Sequence, residues 1–262
     1  MHITPAWCEE QFGTQLRAFA ADLHSHPELS FEETRTTQKI LQALQSLPGV
    51  EVLATGAKTG AVARLAGGEG PAVALRADID AIPQHEAVQR PDASVYEGKM
   101  HACGHDTHTA SLLGAAMALC RRKSALRGDV YFVFQPAEEA LSGAKYLVEQ
   151  CGLFQAIHPA AMFGLHNYPE LPLGTVGVKQ GQLMSYKDVF EMRFVGRSGH
   201  SSMPQKNIDP IVAAAAFIQS VQTITSRNVG PLEAAVVSIC QVHAGTPRNL
   251  VVDDVLLSGN IR

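Results

Sequence analysis

The run Met100-His101-Ala102-Cys103-Gly104-His105-Asp106-Thr107-His108 sets a thiol and an imidazole two residues apart. Both are good donors to a zinc-like ion. At that spacing they face the same way only in an extended or turning backbone, not on a helix. Gly104 between them permits close backbone approach. Further along stand the adjacent acids Glu138 and Glu139, and then His166. A thiolate, two imidazoles and a carboxylate form the donor set of a catalytic metal site, with a second carboxylate left over as a base. Each piece alone has a blander reading. A Cys-x-His pair can be a buried thiol beside a capping imidazole, paired acids suit a helix N-terminus, and a His that closes an apolar strand is commonly structural. Their joint placement argues for the metal site.

That placement depends on the elements around them. Ala72-Val73-Ala74-Leu75 is strand-like and leads into Asp78. Val130-Tyr131-Phe132-Val133-Phe134 is a β-branched and aromatic run closed by Pro136, which predicts a strand ahead of Glu138 and Glu139. Residues 160–165 read as a buried strand ending at His166. Phe12, Leu16, Phe19 and Leu23 recur at helical spacing before Pro27, and further helices are expected over about 32–47, 109–119 and 142–149. Strands alternating with helices predict an α/β sandwich. In such sheets ligands bind beyond the carboxyl ends of the strands, and Asp78, Glu138, Glu139 and His166 all fall there. Asp78 and Asp106 are expected to orient histidine ligands from outside the donor set. His101 and His108 are expected to hydrogen-bond rather than ligate, and His24 and His26 to be structural.

The pattern changes after Pro172. Residues 186–197 partly alternate, as an antiparallel strand with one exposed face would. Ile211, Ala214, Ala215, Ile218, Val221 and Thr225 form a helical stripe, and residues 234–242 and 254–262 read as strands. A β-α-β-β order begins a split βαβ sandwich. The boundary is placed near residues 180–185, giving one domain over 1–182 and a second over 183–262. Within the second, His200 lies in a Gly/Ser-rich turn, and Asn249 and Arg262 are of the kind that hold a carboxylate.

Composition narrows the function classes. The chain has 262 residues, 46% of them hydrophobic and 18% charged, which suffices for one large core or two smaller ones. A formal net charge of −4 gives no basic footprint for nucleic acid and no polybasic patch for membranes. The first residues lack the apolar stretch of a signal peptide, and no run is long enough to span a bilayer. The five cysteines are scattered and form no Cys-x-x-Cys, as expected of reduced thiols in the cytoplasm.

The segments MHACGHD, ALRADIDAIP, FQPAEE, GLHN and GRSGHSSMP, with LHSHPELSFEE ahead of them, resemble the M20 metallopeptidase family. The similar branch is that of the N-acyl-amino-acid amidohydrolases, which includes hippurate hydrolases and auxin-conjugate hydrolases. The resemblance implies a catalytic α/β domain with a mixed sheet and two divalent ions, into which an α+β, ferredoxin-like lid domain inserts and mediates a homodimer. By motif position, Cys103, His105, Glu139 and His166 would be metal ligands and Glu138 the general base. His200 would be the lid histidine that stabilises the oxyanion, and Asn249 a substrate contact. Zinc is the default metal, with manganese, cobalt or nickel able to fill the same cage. Family members also continue into a segment with a final His ligand, whereas no His follows His243 here, so a C-terminally truncated chain is expected. The implied reaction cleaves the amide of an N-acyl amino acid. The alternatives are an inactive metal-binding or dimerising remnant, or a dipeptidase or aminoacylase of the same family.

Overall fold

The computed structural model describes residues 3–140, 142–245 and 247–262. It divides into two compact units, Met1–Pro172 and Leu173–Arg262, so the division falls ahead of residues 180–185, where the change in strand patterning drew it.

The first unit is built on a five-stranded mixed sheet. Its strands are β1 (Val50–Leu53), β2 (Ala61–Leu65), β3 (Gly70–Asp78), β4 (Gly128–Gln135) and β5 (Ala161–Gly164), in the order β1-β2-β4-β3-β5. The neighbours β4, β3 and β5 run parallel, while β1, β2 and β4 are antiparallel. Strand periodicity sends alternate side chains of β4 to opposite faces. Val130, Phe132 and Phe134 join Ile40 and Leu44 of α2 (Thr34–Gln45) and Leu112 and Ala116 of α3 (His105–Cys120) on one side. Val133 joins Leu147, Leu153 and Ile157 on the other. Phe12 of α1 (Pro5–Ser25) packs against Leu113 and Met117 of α3. Burying both faces explains why β4 reads as a continuous apolar run.

Two expectations need correction. The segment at 142–149 is only briefly α-helical, as α4 (Gly143–Lys145), and continues as a π-helical turn over Tyr146–Gln150, with the Cys151 N–H reaching the Tyr146 carbonyl. The short helix α5 (Leu153–Ala156) follows. Strand β5 is not buried. It is the edge strand, bonded only to β3 among the described residues, and Phe163 is 57% exposed. Apolar composition alone does not separate a central strand from an edge strand.

The second unit carries β6 (Asp188–Val195), β7 (Gly199–His200), α6 (Pro210–Thr223), β8 (Val237–His243), β9 (Leu250–Val251) and β10 (Asp254–Ile261). Strands β6, β10 and β8 form an antiparallel sheet, and β7 pairs with β9. The side chain of Asp209 caps α6 by accepting the Ile211 N–H at 2.9 Å, with Pro210 at the first helical position. Ala214, Phe217, Ile218 and Val221 face the sheet, Ala214 and Val221 fully buried and Phe217 and Ile218 packed onto Val255 and Leu257. The stripe is therefore one turn shorter than its apolar residues suggest, since Ile211 is 47% exposed. Among the described residues no helix is long and apolar enough to cross a membrane.

Candidate metal centre

Because β4, β3 and β5 are parallel neighbours, their carboxyl ends share one edge of the sheet. Asp78 is the last residue of β3, Glu138 and Glu139 follow β4, and His166 follows β5. His105 opens α3 from the same side. The turn into α3 needs glycine: Gly104 has φ 79°, and a Cβ there would collide with the Asn167 side-chain amide.

His105 is the hub. Its Nδ1 lies 3.2 Å from Asp80 Oδ1, so the N–H there donates to the carboxylate and leaves the Nε2 lone pair free. Nε2 is buried and has no hydrogen-bond partner among the described residues. It looks onto Asp78 Oδ2 at 3.6 Å, Glu139 Oε1 at 3.9 Å and Glu138 Oε2 at 4.0 Å. The donor atoms of Cys103, His105 and Glu139 lie within 4.8 Å of one another, as do those of Asp78, His105 and Glu138. Those of His105, His108 and His166 make a third such group, so His105 links Cys103 and Glu139 to His166. His166 donates Nδ1–H to the Asn167 carbonyl at 2.8 Å, which turns its own Nε2 into a free donor atom.

His108 is different. Its Nε2 meets both the Asn167 backbone N–H at 2.9 Å and Asn167 Oδ1 at 2.6 Å, and its Nδ1 faces Asp78 Oδ1 at 2.7 Å. Both nitrogens are committed, so His108 hydrogen-bonds and has no lone pair to offer, as its sequence context suggests.

The electrostatics call for a cation. Burial pushes the Cys103 thiol up to about 12, helped by Glu139 and Glu138. Burial, and then the charge on Glu139, also raise Glu138 above the usual carboxylate range. Burial would raise Asp78 too, but the His108 N–H, Arg76 and His105 hold it well below its ordinary value. For His105, burial opposes the charged ring while Asp80, Asp78 and Glu139 outweigh it and draw its pKa upward. A proton or a metal ion on Nε2 would answer the same negative field. A buried lone pair without a partner, surrounded by sulfur and carboxylate oxygens, fits a divalent ion, and a mixed N, O and S set suits zinc. With an ion on Nε2, Asp80 behind His105 would complete a carboxylate–histidine–metal arrangement.

Two predicted orienting acids behave unequally. Asp78 faces the cluster, but Asp106 turns away from every candidate ligand and bonds His24 Nδ1 at 2.8 Å. The neighbouring helix α1 supplies that histidine, which the spacing around Asp106 does not reveal. The acid that orients a candidate ligand is Asp80. Its Oδ1 takes His105, while its Oδ2 takes the Glu139 backbone N–H at 3.0 Å and the Ser30 hydroxyl at 2.6 Å. Asp80 stands two residues after Asp78 (the only signal for it in the sequence). His101, expected to hydrogen-bond, instead is fully buried with neither ring nitrogen bonded among the described residues, and burial pushes its pKa down to about 4.

In the second unit, the short β7–β9 ladder pairs His200 with Leu250, and the Ser201 N–H donates to the Asn249 carbonyl at 3.0 Å. His200 and Asn249, far apart in sequence, therefore lie side by side and exposed. His200 Nδ1 accepts the Ser202 N–H at 3.2 Å, which leaves the ring proton on Nε2 as a donor.

A model of peptidase family M20/M25/M40 matches residues 74–249. An N-acetylcysteine deacetylase of Bacillus subtilis (strain 168) is 46% identical over 256 residues, covering 97% of this chain and 66% of the deacetylase. An N-acyl-L-amino acid amidohydrolase of Geobacillus stearothermophilus is 39% identical over 254 residues, covering 97% of this chain and 68% of that enzyme. The crystal structure of the Bacillus subtilis YXEP protein, described as a dinuclear metal-binding peptidase of the M20 family, matches with a TM-score of 0.75 at 43% identity. That match covers 97% of this chain and 65% of that one. The chain thus spans 65–68% of the length of these relatives.

Proposed function

The chain belongs to peptidase family M20/M25/M40, and from that premise we propose that it is the metal-dependent core of an amidohydrolase acting on N-acyl amino acids. Cys103, His105, Glu139 and His166 would hold two divalent ions, zinc by default. When bound, such ions lower the pKa of water and polarise an amide carbonyl. Glu138 takes the proton from the attacking water and returns it to the leaving amine nitrogen, releasing a carboxylic acid and an amino acid. Burial and the neighbouring Glu139 charge raise its pKa above the usual carboxylate range, the direction that lets it carry a proton between water and amine. The Nε2–H of His200 would steady the negative oxygen that develops on the former carbonyl, and Asn249 would contact the substrate. Asp80 keeps His105 in its ligating tautomer. Assembly as a cytoplasmic homodimer through the second unit belongs to the same reading; β6 and β8 carry the outer edges of its three-stranded sheet.

The observation that carries this reading is the buried, unpartnered Nε2 of His105 facing a thiol and carboxylates at the carboxyl edge of a parallel sheet. The test loads the chain with zinc, manganese or cobalt, counts bound metal by elemental analysis, and assays hippurate, N-acetylcysteine, other N-acyl amino acids and dipeptides. Metal bound at these residues together with release of the free amino acid is expected. Metal bound without turnover of any substrate reduces the chain to a binding scaffold. Turnover confined to dipeptides moves the substrate class, and no metal bound overturns the reading.

A further inference from the structure

Among the described residues, two that are not glycine adopt a left-handed backbone: Phe31 with φ 65° and Ala137 with φ 51°. Phe31 stands two residues before Glu33, and the Glu33 carboxylate reaches the other, Ala137. Glu33 is fully buried, and its Oε1 accepts the Ala137 N–H at 2.7 Å. Among the described residues its other oxygen, Oε2, is buried without a hydrogen-bond partner, so the Ala137 N–H is the one donor this carboxylate holds. Glu33 stands at the N-cap of α2 but makes no side-chain cap there. An acid at an N-cap ordinarily serves its own helix. This one is directed across the fold to the residue just before Glu138 and Glu139.

The turn it reaches is closely held. Ala137 is fully buried, and its carbonyl accepts the Gly143 N–H at 3.0 Å. Any side chain at 143 would collide with the Pro136 carbonyl. The Glu139 N–H is bound by Asp80 at 3.0 Å. Ala137 pays a steric penalty for φ above zero that glycine would not, and such conformations persist only where the surroundings over-determine them. Glu138 Oε2 and Glu139 Oε1 lie 4.0 and 3.9 Å from the same atom, His105 Nε2, so the backbone angle just before them sets where both carboxylates point.

We propose that Glu33 is a positioning residue for the metal site: by holding the Ala137 N–H it fixes the left-handed turn that aims Glu138 and Glu139. The role rests on the assignment of those two acids under the proposed function. Removing an outer-shell partner of a metal ligand typically costs roughly 10–100-fold in metal affinity or activity, and the same range is expected here.

The test compares Glu33→Ala, Glu33→Gln and, as a control for lost stability alone, Leu44→Ala in the core. Cobalt(II) affinity is read by competition with a chromophoric chelator, and hydrogen exchange over residues 136–143 by mass spectrometry. Glu33→Ala should weaken cobalt binding about 10–100-fold and speed exchange in the turn. Glu33→Gln should restore both, because its amide oxygen still accepts the Ala137 N–H and its NH2 can face Thr59. Leu44→Ala should lower thermal stability and leave cobalt affinity unchanged. Wild-type affinity in Glu33→Ala, or a Glu33→Gln as weak as the alanine variant, overturns the proposal. If Glu33→Ala does not fold, fast exchange of the turn in the wild-type chain overturns it and slow exchange there and in Glu33→Gln supports it. A wild-type chain that binds no cobalt refutes the metal reading instead, and the exchange data still decide whether the brace exists.

Discussion

Two buried histidine clusters meet at the first turn of α3, and they differ in one respect. His24 bonds Asp106 at 2.8 Å through Nδ1 and Glu86 at 3.1 Å through Nε2, and Glu86 also takes the Ser94 N–H at 2.7 Å. Every strong donor and acceptor of that ring is used. His105, the residue before Asp106, bonds Asp80 through Nδ1 and leaves Nε2 bare against a thiol and carboxylates. The residue types are nearly the same, and so is the burial. A closed cluster is finished as it stands and acts as a tie between α1, α3 and the loop over residues 86–94. An open cluster has an unmet lone pair in a negative field and is poised for a cation.

The sharpest break of this contrast is at the base. Glu138→Gln should lower turnover of any N-acyl amino acid the loaded protein cleaves by roughly 10²–10⁴-fold while bound metal, counted by elemental analysis, stays at the wild-type level. Lost metal would instead place Glu138 among the ligands. Next come the open cluster's own members. His105→Ala should cost more cobalt affinity than Asp80→Asn, for which roughly 10–100-fold is expected as the loss of an orienting partner; equal losses would mean that His105 does not ligate. Cys103→Ser should abolish any thiolate-to-cobalt absorption band.

The closed cluster should answer in stability. His24→Ala leaves Asp106 and Glu86 buried without their partner, at a cost of about 3 kcal/mol, visible as a lower denaturant midpoint with metal affinity little changed. A large loss of affinity with normal stability would erase the distinction between the clusters. The smallest effect is one of pH. Hydrogen bonding to Asp106 outweighs burial and raises His24 above its ordinary value of 6.5. Its bridge therefore contributes fully below 6.5 and is lost as pH rises through the raised value. Asp106 is held below 3.8 against the opposing effect of burial, and its contribution is lost only as pH falls through that lowered value. The stability difference between wild type and His24→Gln, from denaturant titrations, should shrink as the solution is made alkaline. A difference that grows would show that His24 is neutral in the folded state.

The candidate donors could be named from the sequence because chemistry needs particular side chains and because strand ends can be read. A β-branched, aromatic run that stops at Pro136 places Glu138 and Glu139 beyond a strand whatever the rest of the chain does. Asp80 was not legible. An Asp-x-Asp pair leaving a strand gives no sign of which acid meets which histidine; that depends on where the first turn of α3 settles against the strand ends. Asp106 shows the same limit in reverse, since its partner lies on α1. The exposure of β5 and the late start of the α6 stripe were also hidden, because apolar side chains record suitability for burial, and burial itself is decided by neighbours.

By itself, then, the order of residues determined the alternation of elements and the kind of atoms that gather at the sheet edge. These follow from short-range sterics, hydrophobic periodicity and the intrinsic chemistry of sulfur, imidazole and carboxylate. Only the tertiary structure decided which histidine keeps a free lone pair, which aspartate stands behind it, and how a buried glutamate from the α1–α2 connection comes to hold the turn before Glu138. Those are contacts between distant segments, and their geometry exists only once the sheet has assembled and the helices have closed over it.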